Sequence, residues 1–131
     1  DMIEPTKIQV RFSDLDVMGH VNNSVYLSYF EMARVHYFAK ILGLKWDWNR
    51  YGIILVRNEI DYIYPIILHQ KPLIYINLES IGNKSFTLSY EIKVDDKIVT
   101  KGKSVMVSFD SVQSKSTLIP EVMRNALINN K

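Results

Sequence analysis

Hydrophobic and polar positions alternate from Lys7 to Ser13, with Ile8, Val10 and Phe12 on one side and Lys7, Gln9 and Arg11 on the other. A period of two predicts a first strand there. From Ser24 to about Leu42 the period changes. Tyr26, Phe30, Ala33, Tyr37 and Ile41 recur at spacings of four, three, four and four, one face of a helix. Leu27, Tyr29, Phe38 and Leu42 widen that face, and Ser24, Ser28, Glu31, Arg34 and Lys40 supply the polar positions. A helix this apolar is expected to be covered on most sides. Asn22 or Asn23 suits its N-cap, and Gly43 its stop.

Strands are predicted over most of the remainder. Ile53–Tyr64 is closed by Pro65, and Leu73–Ile81 runs from Pro72 to Gly82-Asn83. Phe86–Val94 alternates most cleanly, and Asp95-Asp96 signals a tight turn into Ile98–Phe109. Gly102 inside that last strand predicts a bulge or a close approach. Pro120–Ile128 reads as a short helix with Pro120 in its first turn. The order is strand, long helix, then four strands in a meander, the last three of them antiparallel neighbours. One apolar helix needs a cover, and the apolar face of an antiparallel sheet supplies it, giving a two-layer α+β domain.

A chain of 131 residues suits one domain spanning 1–131. Hydrophobic residues at 47% and charged residues at 23% argue against a disordered chain and against a membrane span. A net charge of +2, with no run of five like charges, gives no basis for a nucleic-acid partner. The absence of Cys removes disulfides, thiolate zinc sites and thiol nucleophiles, and is compatible with a cytoplasmic location. Asp1-Met2-Ile3-Glu4-Pro5 lacks the basic and apolar segments of a signal peptide.

Chemistry concentrates between the first strand and the helix. Asp14, Asp16, His20, Asn22 and Asn23 fall within ten residues. Loops held by rigid elements often carry catalytic groups. Free N–H groups at a helix start favour developing negative charge, and a carbonyl docked there would be polarised. Adjacent carboxylates could serve as nucleophile or general base. A purely structural reading fits the same residues: Asp14 and Asp16 cap turns, and Asn22-Asn23 cap the helix. On composition and spacing alone that reading is the more economical. His20, Asp14 and Asp16 match no standard zinc motif, and His36 and His69 lie far off in sequence, so no metal site is expected. His36 is expected in packing or at the surface, and His69 in solvent.

The segment Asp14-Leu15-Asp16-Val17-Met18-Gly19-His20-Val21-Asn22-Asn23, followed by Tyr26-Leu27 and Phe30-Glu31-Met32-Ala33-Arg34, resembles the 4-hydroxybenzoyl-CoA thioesterase-like family of acyl-CoA thioesterases. Its His-Val-Asn-Asn portion is also similar to acyl-carrier-protein thioesterases. Tyr62 to Pro65, Lys84-Ser85 and Ser108-Phe109-Asp110 resemble later family positions, so the likeness covers nearly the whole chain. The chain departs from the pattern at His69-Gln70-Lys71, where many members carry Gly-Asp.

The resemblance implies the hot-dog fold, a long central helix wrapped by a five-stranded antiparallel sheet. It also implies a homodimer, often paired into a tetramer, with active sites at the subunit interface. By the same likeness Asp16 is the catalytic carboxylate, as nucleophile or general base. The Asn23 N–H polarises the thioester carbonyl, Gly19 lets the loop pass close to substrate, and His20 matches an active-site His of the carrier-protein branch. Val21, Asn22, Tyr26 and Glu31 complete the substrate-contacting set. Tyr26 fits the core better than the chemistry, and Glu31 fits an ion pair with Arg34 slightly better than a place facing the site. Asp14 fits loop shaping, with a neighbouring charge that could raise one Asp pKa. No redox or metal cofactor is implied. The expected reaction is hydrolysis of acyl-CoA, with an acyl-carrier-protein thioester as alternative substrate. A dehydratase or isomerase of the same fold would carry a Pro- and Gly-rich segment after the His, where this chain has Val21-Asn22-Asn23. A non-catalytic acyl-CoA-binding module is the rival from another class.

Overall fold

A computed structural model describes residues 3–131; Asp1 and Met2, part of the segment read against a signal peptide, lie outside the described residues. The elements run β1 (Thr6–Lys7), a 3-10 turn (Phe12–Asp14), α1 (Val25–Leu42), β2 (Gly52–Tyr62), β3 (Leu73–Ile81), β4 (Ser85–Val94), β5 (Lys97–Asp110), β6 (Lys115–Ser116) and α2 (Glu121–Asn129). Among the described residues no helix is long and apolar enough to cross a membrane.

The long helix and the four main strands lie close to where periodicity puts them. α1 stops at Gly43, whose φ of 83° with ψ of 169° is a backbone conformation that favours glycine and turns the chain out of the helix. The Asp95-Asp96 turn has both residues at positive φ, 51° and 62°, as a two-residue hairpin with right-handed strand twist requires. On β4, Phe86, Leu88, Tyr90, Ile92 and Val94 are all buried while the alternate positions are only partly covered. This inner face packs on the stripe of α1 formed by Tyr26, Tyr29, Phe30, Ala33, Tyr37 and Phe38. Met123 and Leu127 of α2 complete the core.

Several expectations change. Strand pairing covers only Thr6–Lys7 of the predicted Lys7–Ser13 strand. Ile8 and Val10 are buried, but Phe12 is exposed because the chain turns into the 3-10 segment. The strands are not one meander. Their order is β1-β3-β4-β5-β2, with β6 pairing β5, so β2 lies beside β5 and β3 starts near the opposite edge. The intervening segment, residues 63–72, must cross over, and it passes the start of α1. Gly102 marks a close approach and not a bulge: a Cβ there would lie 2.7 Å from the Phe30 ring. The ladder irregularities fall instead at Leu55/Arg57, Leu78/Ser80 and Ile92/Lys93, where they bend the sheet around the helix. α1 is not covered on most sides, since Leu27, Met32 and Val35 are exposed. Arg34, read as a surface residue paired with Glu31, is buried and donates to the Tyr90 hydroxyl at 3.0 Å.

Candidate active site

The Asp14–Asn23 segment forms a small closed hairpin. Leu15 and Val21 bridge antiparallel across it. The Asp16 N–H donates to the His20 carbonyl at 2.8 Å, and the Gly19 N–H donates to the Asp16 carbonyl at 3.0 Å. Gly19 takes a φ of +76° at the tip, with nothing within 4 Å of where a Cβ would sit. Glycine is therefore favoured here by backbone conformation and not by crowding.

Two carboxylates separated by one residue occupy opposite environments. Asp16 is exposed, and its Oδ1 accepts from the Met18 N–H at 2.9 Å and the His20 N–H at 3.2 Å. Among the described residues its hydrogen bonds fall on Oδ1 alone, which leaves Oδ2 turned to what lies outside. Asp14 is buried. Its Oδ2 accepts from the Arg11 N–H at 2.9 Å and the Tyr29 hydroxyl at 2.7 Å, and its Oδ1 from the Arg11 guanidinium at 3.2 Å. Burial pushes the Asp14 carboxyl up, but these donors and the Arg11 charge outweigh it and hold the pKa below the usual carboxylate value. The expectation that like charge would raise a carboxyl pKa therefore fails at Asp14, because its donors surround it. Asp14 is the structural member, as its loop-shaping reading expects.

The crossover segment fixes the hairpin to the rest of the fold. The Val21 N–H donates to the Ile66 carbonyl at 2.8 Å, and His20 bridges Ile67. The Asn22 N–H donates to the Asp14 carbonyl at 2.8 Å, closing the hairpin onto the helix start. Neither Asn is the N-cap. Ser24 holds that position, and the Asn22 side-chain oxygen accepts both its N–H and its hydroxyl at 3.0 Å. Asn22 thus ties off the turn two residues ahead of α1. Asn23 is exposed, and among the described residues its N–H donates to no protein acceptor. That free donor sits at the end of α1 where the helix dipole is positive.

Asp16, Gly19, His20, Val21, Asn22, Asn23 and Tyr26 therefore come together. Val21 and Tyr26 face the core, each only 2% exposed, and support the loop from beneath. Burial pushes the Tyr26 hydroxyl pKa up, and the nearby Asp16 charge adds to the shift. Glu31 does not join this group. It lines a groove of about 510 Å³ between the second half of α1 and the edge of the sheet, with Val35, Phe38, Trp48, Leu55 and Met106. A larger concavity of about 1050 Å³, where Glu79 pairs with Lys103 at 2.9 Å, contains none of the predicted site residues. Among the described residues no three His, Asp or Glu side chains converge as a metal ligand set. His36 bonds the Glu4 carbonyl at 3.0 Å, and His69 is exposed.

Sequence reasoning assigned no role at this site to Tyr29, Tyr62 or Ile66. Each reaches the loop across a long sequence separation or through a backbone carbonyl, so no local spacing marks it. Tyr62 alone was signalled, as part of a segment resembling later family positions.

Residues 10–127 match the model of the thioesterase-like superfamily. The chain is 28% identical over 125 residues to the long-chain acyl-CoA thioesterase FadM of Escherichia coli, covering 93% of this chain and 95% of that protein. It is 32% identical over 84 residues to the uncharacterized protein YsmA of Bacillus subtilis, a match covering 64% of this chain and 56% of that protein. A Thermus thermophilus thioesterase crystallised with coenzyme A and Zn superposes with a TM-score of 0.85 at 30% identity, covering 98% of this chain and 95% of that one.

Proposed function

Because the chain belongs to the thioesterase-like superfamily, we propose that it hydrolyses acyl-CoA thioesters to a free acid and CoA, with Asp16 as the reacting carboxylate. One observation carries this reading. The Asp16 carboxylate is held on Oδ1 by two backbone N–H groups while Oδ2 stays open, in the same hairpin that delivers the free Asn23 N–H to the start of α1. The E. coli relative's activity on long-chain acyl-CoA and the coenzyme A bound to the Thermus relative support the substrate class.

In this reading the thioester carbonyl oxygen accepts from the Asn23 N–H, which stabilises the negative charge that develops on attack. Asp16 Oδ2 either attacks the carbonyl carbon or takes a proton from the attacking water. The first route releases the CoA thiolate and leaves a mixed anhydride for water to cleave. The second adds hydroxide directly and expels the thiolate. A thiolate leaves readily, so no strong general acid is required. Gly19, His20 and Asn22 form the rim of the hairpin that the substrate meets.

A homodimer is part of the proposal. β2 is the free long edge of the sheet and carries exposed Ile54, Leu55 and Val56. The single chain exposes 8199 Å², against roughly 7,000 Å² for a folded chain of this size. The difference is of the order of one partner's share of a standard interface, about 800 Å². Pairing of two β2 edges would cover this apolar strip. Pairing of two dimers remains an extension of the same proposal.

The test is steady-state hydrolysis of an acyl-CoA panel, with acyl-carrier-protein thioesters alongside, by wild type and Asp16→Asn. Asparagine keeps the Oδ1 acceptor that shapes the hairpin and removes the base. Turnover by wild type and its loss in the folded variant are expected. Full activity in Asp16→Asn would remove Asp16 from the chemistry, and acyl-CoA binding without turnover in wild type would favour a binding module.

A further inference from the structure

We propose that Tyr62 is a positioning residue for the reaction, holding the Asn23 segment in place through its hydroxyl; this rests on the reading of that segment as the carbonyl-binding end of a thioester-hydrolysing site.

Tyr62 is the last residue of β2 and pairs in register with Thr100 of β5. Its hydroxyl reaches over the start of α1 and donates to the Asn23 carbonyl at 3.2 Å. Among the described residues it is the only side chain that hydrogen-bonds Asn23. Its ring meets the Tyr26 ring edge-on, with centroids 4.9 Å apart and planes at 86°. Tyr26 is buried in the first turn of α1, so the Tyr62 ring has a fixed wall behind it. Two contacts therefore tie the end of β2 to the helix start: an aromatic edge and one polar bond.

That polar bond acts on the residue that has the fewest other restraints. Asn22 is anchored to Asp14 and Ser24, and Val21 to Ile66. Asn23 has the Tyr62 hydroxyl on its carbonyl and a free N–H. Both groups hang from one Cα, so holding the carbonyl limits rotation of the residue that carries the donor. An oxyanion donor works only when aimed before the charge develops, and small misplacements are expensive in rate. The Tyr62 ring is half exposed, so its hydroxyl bond contributes little to the core.

Tyr62→Phe keeps the ring and deletes the bond; Tyr62→Ala deletes both. With the acyl-CoA that wild type hydrolyses best, Tyr62→Phe is expected to lower kcat about tenfold, with KM within twofold and thermal midpoint unchanged. In ¹⁵N-labelled protein the Asn23 amide signal is expected to move in Tyr62→Phe, while that of Gly102 in the core stays in place. Wild-type kcat in Tyr62→Phe together with loss in Tyr62→Ala would assign the work to the ring and overturn the proposal. A rise in KM at constant kcat would make the hydroxyl a ground-state substrate contact and overturn it as well. If wild type hydrolyses no acyl-CoA, the underlying reading fails; if wild type turns over and Tyr62→Phe matches it, only the positioning role fails.

Discussion

The Tyr29 hydroxyl donates to Asp14 Oδ2 at 2.7 Å, joining the buried face of α1 to the hairpin that carries Asp16. Fifteen residues separate the two in sequence. The bond lets a carboxylate lie buried one residue away from an exposed one. It sets the two apart: Asp14 anchors the hairpin, and Asp16 stays exposed with Oδ2 unbonded among the described residues.

Removing the Tyr29 hydroxyl leaves that buried carboxylate one donor short. Tyr29→Phe is expected to destabilise the fold by about 1–3 kcal/mol, read by urea unfolding at neutral pH. The acid limb gives an independent check. The Asp14 pKa is lower in the folded protein than its ordinary value of 3.8. Its contribution is thus fully present above that value and fades as pH falls through the lower folded value. Wild type should lose stability below about pH 4, and Asp14→Asn should flatten that part of the profile while lowering stability at pH 7.

Asp16 separates shape from chemistry. Asp16→Asn should retain the Met18 and His20 N–H bonds and the wild-type melting temperature, yet lose roughly 100-fold or more in kcat. Asp16→Ala removes the same bonds and the base together, so it should lose activity and also loosen the hairpin. Amide hydrogen exchange at Met18 and His20 distinguishes the variants: slow in wild type and Asp16→Asn, fast in Asp16→Ala.

At Gly102 the sheet comes close to the helix. A Cβ there would meet Phe30 at 2.7 Å and the Glu59 carbonyl at 3.0 Å. Phe30 is also stacked on Tyr90, with centroids 4.1 Å apart, and has little room to retreat. Gly102→Ala is expected to cost about 1–3 kcal/mol through overpacking. A thermal midpoint equal to that of wild type would show that the ring yields more easily than its packing suggests.

The β2 edge tests the proposed dimer. Val56 is exposed and lies at the ladder irregularity, without a register partner on β5. Val56→Asp should leave the single chain folded, since its side chain is exposed and faces no register partner on β5. Light scattering after size exclusion should show a dimer for wild type and a monomer for Val56→Asp. Activity should fall with the dimer if each site draws on both copies.

The crossover segment shows how far local signals carry. His69, in the loop that leads into β3, adopts a φ of 72°. A non-glycine residue thus holds a conformation that glycine takes more easily. Nothing in the local pattern announces that, because the turn is imposed by the Gln70 side chain accepting the Ile67 N–H at 3.0 Å and by the fixed ends at Tyr62 and Pro72. Arg34 teaches the same point from the helix. Its spacing from Glu31 suits a surface ion pair, but the Tyr90 hydroxyl offers a partner inside the core, and burial there covers its long apolar stem.

By itself the sequence determined the main elements and marked the segment proposed here for the chemistry. Periods of two and 3.6 are local properties of backbone geometry, so α1 and the strands from β2 to β5 were legible without any contact. The segment from Asp14 to Asn23 was legible as a candidate because its Asp, His and Asn residues fall within ten positions, but its hairpin was not. Only the tertiary structure decided that β2 crosses to pair with β5, that Asp14 is buried while Asp16 is open, and that Tyr62 reaches Asn23. Those outcomes depend on which faces can be buried together and which polar groups then find partners, and both are settled between residues far apart in the chain.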